Sequence, residues 1–217
     1  WITTSVDSIL KYENSSWINL GQLQDFSVAY SPRHGIYFTG NNTGWLSGHD
    51  NFTHAKIMKY NGSQWTSQSI SSNWMLKSVF MVDNTNGWAC GEYGSVFKYD
   101  GTNTWIQETF PVTSGINSLF FLSNLNGWAV TTECGIVKYN GNTWSMNYSG
   151  NPFNCGFNSI TFTDYNNGWA VSDNGIIMYT HNAGGTTGLS DNSVTNLESQ
   201  PVFPNPSDGQ ITITFGE

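Results

Sequence analysis

Basic side chains are scarce in this sequence. Lysine and arginine number 7 against 15 acidic residues, the formal net charge is −8, and Arg33 is the only arginine. Proteins that bind nucleic acid need basic side chains to contact phosphates, and anionic membrane surfaces attract Lys and Arg for the same reason. The composition therefore predicts that neither nucleic acid nor an anionic membrane surface is a partner.

Charged residues of either sign are few, and long apolar runs are absent. Charged residues make up 10% of the chain and aromatic residues 15%, with 23 glycines. Helical bundles and coiled coils are rich in Glu, Lys, Ala and Leu, so this profile excludes them. No apolar run approaches the roughly 18 residues of a membrane span, and we expect no span. The composition is typical of short strands and tight turns.

What the sequence has instead is a repeat of about 40 residues. One tryptophan series recurs every 40 to 44 residues, and a tyrosine series and a second tryptophan series accompany it along the chain. The first series is Trp1, Trp45, Trp88, Trp128 and Trp169, the tyrosines are Tyr12, Tyr60, Tyr99, Tyr139 and Tyr179, and the second series is Trp17, Trp65, Trp105 and Trp144. Three series with a shared period indicate copies of one structural unit.

Each copy divides into four short runs rich in aromatic and β-branched residues, which are typical of strands. In the third copy the predicted strands are Ser78–Val82, Gly87–Gly91, Ser95–Tyr99 and Trp105–Phe110. Asn-Gly and Asp-Gly pairs separate the strands, and such pairs supply the positive φ angles of tight hairpins. These pairs are Asn61-Gly62, Asn86-Gly87, Asp100-Gly101, Asn126-Gly127, Asn140-Gly141 and Asn167-Gly168.

Four antiparallel strands every 40 residues predict the blade of a β-propeller. We therefore expect an all-β fold over residues 1–187, with three complete blades and a partial blade at each end. The chain begins at Trp1 in the middle of a copy, so the first blade is expected to lack its opening strand and the last its outer strand. We expect a parent ring of six to eight blades. Stacked blades would bury the five leading tryptophans as a structural core.

The segment Gly91–Trp105 has the pattern Gly-x-x-Gly-x-Val-x-Lys-Tyr-Asp-Gly-x-x-x-Trp. This pattern resembles the repeat of photosystem II assembly-factor-like propellers, which are related to the bacterial neuraminidase, or Asp-box, repeats. Asp100–Trp105 and His181–Thr187 resemble loosened Asp boxes. The resemblance implies a propeller over residues 1–187 in which the Asp box is a structural turn.

The C-terminal region differs in composition. Residues 188–200 are rich in Ser, Asn and Thr and are interpreted as a linker. Residues 201–217 resemble the beginning of a C-terminal sorting domain of the type IX secretion system, which is of β-sandwich type; the motif residues are Pro204, Asn205, Pro206 and Gly209. The resemblance implies that the secretion machinery binds the tail. It also implies a secreted or outer-surface protein of a Gram-negative, Bacteroidetes-like bacterium. The alternative is an ordinary proline-rich turn before one more strand.

Catalytic motifs are missing from the sequence. The resemblance to neuraminidases implies three arginines that grip a substrate carboxylate, and this chain has one. Other glycosidases need a carboxylate pair about 5–9 Å apart, and no carboxylate here lies in a distinctive motif. We therefore favour a non-catalytic binding or adhesion module with a protein or glycan ligand. The alternatives are a secreted glycoside hydrolase whose catalytic residues lie partly outside this region, and an assembly factor.

An acidic residue follows each leading tryptophan by four to six positions, between the second and third strands. In an up-and-down blade these turns project from one face, so the carboxylates would form an acidic arc that binds a cationic partner or a divalent cation. The alternative is that Asp and Glu merely suit exposed turns. The residues are Asp7, Asp50, Glu92, Glu133 and Asp173.

The second copy has an insertion at Gly48–Ala55, where His49, Asp50 and His54 are candidate metal ligands. No other cofactor is expected. Cys134 and Cys155 are expected on the same face and are predicted to form a disulfide. Cys90 is predicted to be buried and reduced.

Overall fold

The computed structural model describes residues 1–3, 8–23, 35–50, 54–149, 156–173 and 175–181. The linker and the sorting motif lie outside the described residues. Within the described part, strands account for almost all regular structure, and the only helical element is a single 3₁₀ turn at Glu92–Gly94. No helix in this part of the chain is long and apolar enough to cross a membrane.

The strands form five sheets that follow the sequence repeat. The first sheet contains β1 (Ile2–Thr3), β2 (Ser8–Glu13) and β3 (Ser16–Gln22), and the second contains β4 (Ile36–Gly40), β5 (Thr43–His49), β6 (Ala55–Tyr60) and β7 (Trp65–Ser67). The third contains β8 (Ser69–Ile70), β9 (Leu76–Met81), β10 (Gly87–Gly91), β11 (Val96–Tyr99) and β12 (Thr104–Glu108). The fourth contains β13 (Ile116–Ser123), β14 (Asn126–Thr131), β15 (Gly135–Tyr139) and β16 (Trp144–Ser149), and the fifth contains β17 (Phe157–Phe162), β18 (Gly168–Ser172) and β19 (Ile177–Thr180).

These sheets are the blades of a β-propeller. Neighbouring strands within a blade pair antiparallel in chain order, and three sheets with all four strands are flanked by a three-stranded sheet at each end of the described chain. The predicted fold class and the division into three complete and two partial blades are thus confirmed for these residues. The predicted strands of the third copy agree with β9 to β12 within two residues at each end.

One strand was not predicted. After β7 the chain crosses to the next blade, where β8 pairs parallel with β12, so that Ser69 lies opposite Thr104 and Ile70 opposite Trp105. The Gln68 side-chain amide also donates a hydrogen bond to Asn103 Oδ1 over 2.6 Å. This contact covers the outer edge of the third blade, which would otherwise expose unpaired backbone groups.

Three of the six Asn-Gly and Asp-Gly pairs do not form the predicted positive-φ turns. The glycines in Asn86-Gly87, Asn126-Gly127 and Asn167-Gly168 lie in strands, and none has a positive φ. Each faces a large side chain of the first strand across the sheet, and Gly44 of the second copy does the same. The pairs are Gly44 with Phe38, Gly87 with Met81, Gly127 with Phe121, and Gly168 with Phe162.

The reason for glycine at these positions is close packing. A Cβ built on Gly127 would lie 2.2 Å from Cε1 of Phe121, and one built on Gly168 would lie 2.4 Å from the Phe162 ring. The missing side chain therefore lets an aromatic ring lie flat on the backbone of the second strand. At these three pairs the glycine is required for close packing against the first strand, and the predicted reason, a positive φ angle, is wrong.

The other three pairs do form the predicted turns, between the third and fourth strands. Gly62, Gly101 and Gly141 have φ angles of 96°, 84° and 94°. The preceding Asn or Asp caps each turn with its side-chain oxygen. Asp100 Oδ1 accepts hydrogen bonds from the amides of Thr102, Asn103 and Thr104 at 2.8–3.1 Å. The loosened Asp box at Asp100 is thus a structural turn.

At several interfaces between consecutive blades, an aromatic ring of one blade stacks on an aromatic ring of the next. The leading tryptophan of one blade lies against the first-strand side chain that covers glycine in the next blade. Trp88 stacks on Phe121 with centroids 3.9 Å apart and Trp128 stacks on Phe162 at 3.7 Å, with interplanar angles of 12° and 19°. Trp1 stacks on Phe38 at 5.1 Å. Aromatic contacts between blades therefore supply much of the core.

A lysine covers the tryptophan in each of the first four copies. Lys59 lies opposite Trp45 in the β5–β6 hairpin, and its Nζ is 5.1 Å from the Trp45 ring and 3.1 Å from the Tyr99 hydroxyl of the next blade. Lys11, Lys98 and Lys138 lie 5.2–5.7 Å from the rings of Trp1, Trp88 and Trp128. Four of the seven basic residues are therefore used in packing contacts between strands and blades.

The leading tryptophans differ in burial according to their neighbours. Trp45, Trp88 and Trp128 are completely buried, whereas Trp1 and Trp169 are half-buried. Tyr179 does not occupy the tyrosine position to which the repeat assigns it. It lies opposite Trp169, where the other copies have lysine, and Thr180 occupies the tyrosine position.

We expect Gly127→Ala to destabilise the fold by about 1–3 kcal/mol, because the added methyl group displaces Phe121 from its stack on Trp88. Urea denaturation followed by circular dichroism measures the change. Gly40→Ala is the matched control, since a Cβ at that strand position meets nothing within 4 Å. Equal stability of the two variants would contradict the packing role of Gly127.

The turn aspartates are expected to make stability depend on pH. Hydrogen bonds from the backbone amides of Thr85 and Thr102 lower the pKa of Asp83 and Asp100, and the Asn167 side chain lowers the pKa of Asp164. A lowered folded-state pKa contributes stability that is complete above the unfolded pKa, about 3.9, and is lost as the pH falls through the folded value.

Accordingly, the urea midpoint of the wild type should fall between pH 6 and pH 2.5, and Asp100→Asn should reduce that fall. Asn61 and Asn140 already fill the same turn position, so the substitution keeps the hydrogen-bond acceptor. The reverse change, Asn140→Asp, should increase the acid sensitivity. Identical pH profiles for all three proteins would exclude this contribution.

Candidate functional site

Two sets of loops emerge on opposite faces of the propeller. Because the strands of each blade are antiparallel, the turns between second and third strands lie on the same face as the connections between blades. We call this the lower face. The upper face carries the turns between first and second strands and between third and fourth strands.

The lower face carries all the described members of the predicted acidic arc. Asp50 follows β5, Glu92 opens the 3₁₀ turn after β10, Glu133 lies between β14 and β15, and Asp173 follows β18. Asp7 lies outside the described residues. Glu133 and Asp173 are exposed, and Asp50 and Glu92 are half-buried. The residues share a face, and whether they act together as a binding arc stays a prediction.

The four carboxylates have different surroundings. Asp50 accepts a 2.9 Å hydrogen bond from the His54 amide, and its Oδ2 is 3.1 Å from His54 Nδ1. The Asn158 side-chain amide donates a hydrogen bond to Asp173. Neither Glu92 nor Glu133 forms a salt bridge with another residue of the described chain. Their charges are therefore not neutralised by a neighbouring cation within it.

The structure does not bring His49, Asp50 and His54 together as metal ligands. His49 is 2% exposed at the end of β5, with Nδ1 2.6 Å from the Asp50 carbonyl oxygen, whereas His54 is exposed and lies beside the Asp50 carboxylate. Among residues whose positions are described, no group of three or more His, Cys, Asp and Glu could hold a metal ion. In the hairpin, His49 pairs with Ala55 and Asp50 with His54, so the two histidines occupy successive positions, whose side chains alternate between the two faces.

The two described cysteines differ in their oxidation state, as the sequence predicts. Cys134 is buried in the turn after β14, has a φ of 59° and is disulfide-bonded. Cys155 lies outside the described residues, so the pairing of these two cysteines stays a prediction. Cys90 is a free, completely buried thiol, and its burial raises its pKa far above the ordinary value.

Glu108 is a carboxylate with a structural role. Its Oε2 accepts hydrogen bonds from the indole nitrogen of Trp88 at 3.2 Å and from that of Trp144 in the following blade at 2.8 Å. These contacts join the third and fourth blades and occupy the carboxylate. No motif in the sequence marks Glu108 for this role.

A pair of exposed aromatic side chains on the lower face was also missed. Trp74, in the connection between β8 and β9, lies against Tyr93 in the 3₁₀ turn with ring centroids 4.0 Å apart in a tilted arrangement. Their exposed fractions are 44% and 60%. The available signal was their departure from the repeat, since neither belongs to the tryptophan or tyrosine series.

Comparisons with known proteins support the fold. No family model matches the chain, and no curated protein matches its sequence. Among solved structures it is similar to YCF48 from Cyanidioschyzon merolae (TM-score 0.59, 15% identity, 82% of this chain and 65% of that one). It is also similar to the extracellular domain of BT4673, a putative one-component system of B. thetaiotaomicron (TM-score 0.61, 18% identity, 86% and 25%). A third similar structure is U3-55K (TM-score 0.61, 10% identity, 80% and 56%).

At these identities the similarities establish the architecture. The chain spans 65% of the YCF48 chain and smaller parts of the other two. The described part of the chain is therefore a set of propeller blades of the kind found in all three proteins.

Proposed function

We propose that this chain is part of an extracellular binding module whose lower face binds a cationic partner. The observation that carries the proposal is the distribution of charge between the two faces and the interior. Lys11, Lys59, Lys98 and Lys138 cover tryptophan rings, while the lower face carries Asp50, Glu92, Glu133 and Asp173.

The upper face also has carboxylates, but these are committed to the fold. Asp83, Asp100 and Asp164 each accept hydrogen bonds from amides of their own turn. Glu92 and Glu133 have no comparable role, and repeated acidic side chains on one face create a field that attracts cations. A cationic macromolecule fits this arrangement better than a metal ion, because the carboxylates do not converge on one point.

Three observations support a location outside the cell. The tail at residues 201–217 resembles the beginning of a type IX sorting domain, Cys134 is disulfide-bonded, and a similar structure is itself an extracellular domain. Disulfides persist in oxidising compartments. We infer export by the type IX secretion machinery of a Bacteroidetes-like bacterium and a role without catalysis.

The triple variant Glu92→Gln, Glu133→Gln, Asp173→Asn should bind a fluorescein-labelled deca-lysine peptide about tenfold more weakly than the wild type, measured by anisotropy at 50 mM salt. The binding should also depend less steeply on salt. The matched control is Asp83→Asn, Asp100→Asn, Asp164→Asn, which removes the same charge from the upper face. Equal losses in both triple variants would show a net-charge effect and contradict a binding face.

Export can be tested in a bacterium with a type IX system that expresses the full-length protein with an epitope tag in the propeller. Replacing Pro204, Asn205 and Pro206 with alanine should leave the protein in the periplasm, whereas the wild type reaches the medium or cell surface. Replacing Asn192, Ser193 and Thr195 of the linker with alanine is the control. Normal export of the first variant would refute the role of the motif.

A further inference from the structure

The Trp74–Tyr93 pair lies on the lower face beside Glu92, and its rings contact each other while remaining exposed. The two ring planes make an angle of 39°. Large aromatic side chains on a soluble surface are enriched at interaction sites, where they contribute a large contact area with few rotatable bonds. This pair is therefore the strongest candidate for a binding contact within the described lower face.

The backbone holds the pair in place from both sides. The Glu92 amide donates to the Met75 carbonyl over 3.1 Å, and the Gly94 amide donates to the Ser114 carbonyl over 2.9 Å. The 3₁₀ turn is thus anchored to the connections that precede and follow its blade. On the other ring, the Trp74 amide donates to Ser72 Oγ over 3.1 Å. The rings belong to a pre-organised surface, which lowers the entropic cost of binding.

Tyr93 occupies an unusual backbone conformation. Its φ and ψ are 53° and 39°, in the left-handed region that bulky residues seldom adopt. Asparagine or glycine would adopt this conformation at lower cost, and Gly94 beside it also has a positive φ. Folding therefore does not explain why a tyrosine stands here, and strained backbone of this kind is concentrated at functional sites.

The chemistry of the pair indicates what it binds. Inside the fold, a tryptophan and a tyrosine together receive a lysine ammonium, as where Lys98 lies 5.2 Å from the Trp88 ring and 5.7 Å from the Tyr139 ring. Trp74 and Tyr93 form another tryptophan–tyrosine pair, with no lysine or arginine of the described chain over either ring. The electron-rich ring faces and the neighbouring Glu92 carboxylate both favour a cation.

We propose that the Trp74–Tyr93 pair is the anchor site for an arginine side chain of a partner polypeptide. This inference rests on the proposed function and specifies the chemistry of the partner. The planar guanidinium stacks on aromatic rings and is more weakly hydrated than an ammonium group, so an exposed ring surface selects arginine over lysine. Glu92, one residue before Tyr93, accepts its N–H groups.

The experiment compares two labelled decapeptides, alternating Gly-Arg and alternating Gly-Lys, by fluorescence anisotropy. The wild type should bind the arginine peptide about threefold to tenfold more tightly than the lysine peptide. Tyr93→Asn and Trp74→Ser should each remove this preference by weakening the arginine peptide. Asparagine tolerates the left-handed conformation, so Tyr93→Asn should keep or raise the melting temperature.

Leu125→Asn is the matched control, because it removes a 57% exposed apolar side chain from the upper face. It should leave both affinities unchanged. The anchor proposal fails if the wild type binds both peptides equally or if Tyr93→Asn keeps the arginine preference. In those cases the lower-face function still stands when the triple carboxylate variant weakens both peptides. Absence of binding to either peptide would overturn both proposals.

Neutral hexasaccharides of glucose with β-1,4 and β-1,3 linkages form a further arm, since aromatic rings also stack on sugars. Binding of a hexasaccharide that is lost in Tyr93→Asn, without any arginine preference, would overturn the anchor proposal in favour of a glycan site. No hexasaccharide binding together with a Tyr93-dependent arginine preference supports it.

Discussion

The contact on which the propeller depends is the stack of one blade's tryptophan on the first-strand side chain of the next blade. Phe121 can lie flat only because Gly127 has no Cβ, and the ring then presents its other face to Trp88. A single blade cannot bury either of its faces, so this stack makes the blades interdependent. The repeat of about 40 residues therefore keeps a glycine opposite a large side chain, which is Phe38, Phe121 or Phe162 in three copies and Met81 in the other.

The lysine of each of the first four copies links this core to the unusual composition. Lys98 lies over Trp88 and reaches the Tyr139 hydroxyl of the next blade, so its charge is placed on an aromatic surface at a blade interface. Of the described basic residues, only Lys56 and Lys77 lie near the lower ends of their strands, β6 and β9, where four acidic residues of the lower face outnumber them. Most of the few basic residues therefore serve packing within the fold, and the small number that remains limits which partners the surface can bind.

Much of the fold could be predicted from the sequence because the repeat reports contacts that occur in every blade. The period, the four strands and the burial of Trp45, Trp88 and Trp128 follow from residues that recur. The Asn-Gly pairs before the leading tryptophans predict a turn between the first two strands, but not the role of the glycine. Asn-Gly is typical of a turn, and no local pattern reveals the large side chain that covers this glycine from the adjacent strand. The pattern misassigns Tyr179 because this tyrosine lies one residue closer to its tryptophan than in the fourth copy, at the position of the lysine there.

The acidic residues of the lower face recur with the repeat and could be predicted, whereas the Trp74–Tyr93 pair could not, because neither residue belongs to a recurring series. Trp74 and Tyr93 are 19 positions apart, in an inter-blade connection and a turn, and only the propeller topology brings their rings to 4.0 Å. The acidic residues of the two faces also differ in whether local hydrogen bonds explain them. On the upper face, Asp83 and Asp100 are bound by the amides of their own turns, so selection for folding accounts for them. Within the described lower face, no such hydrogen bond holds the Glu133 carboxylate, and Tyr93 keeps a bulky side chain in the left-handed conformation; the proposed binding role rests on these two differences from the upper face.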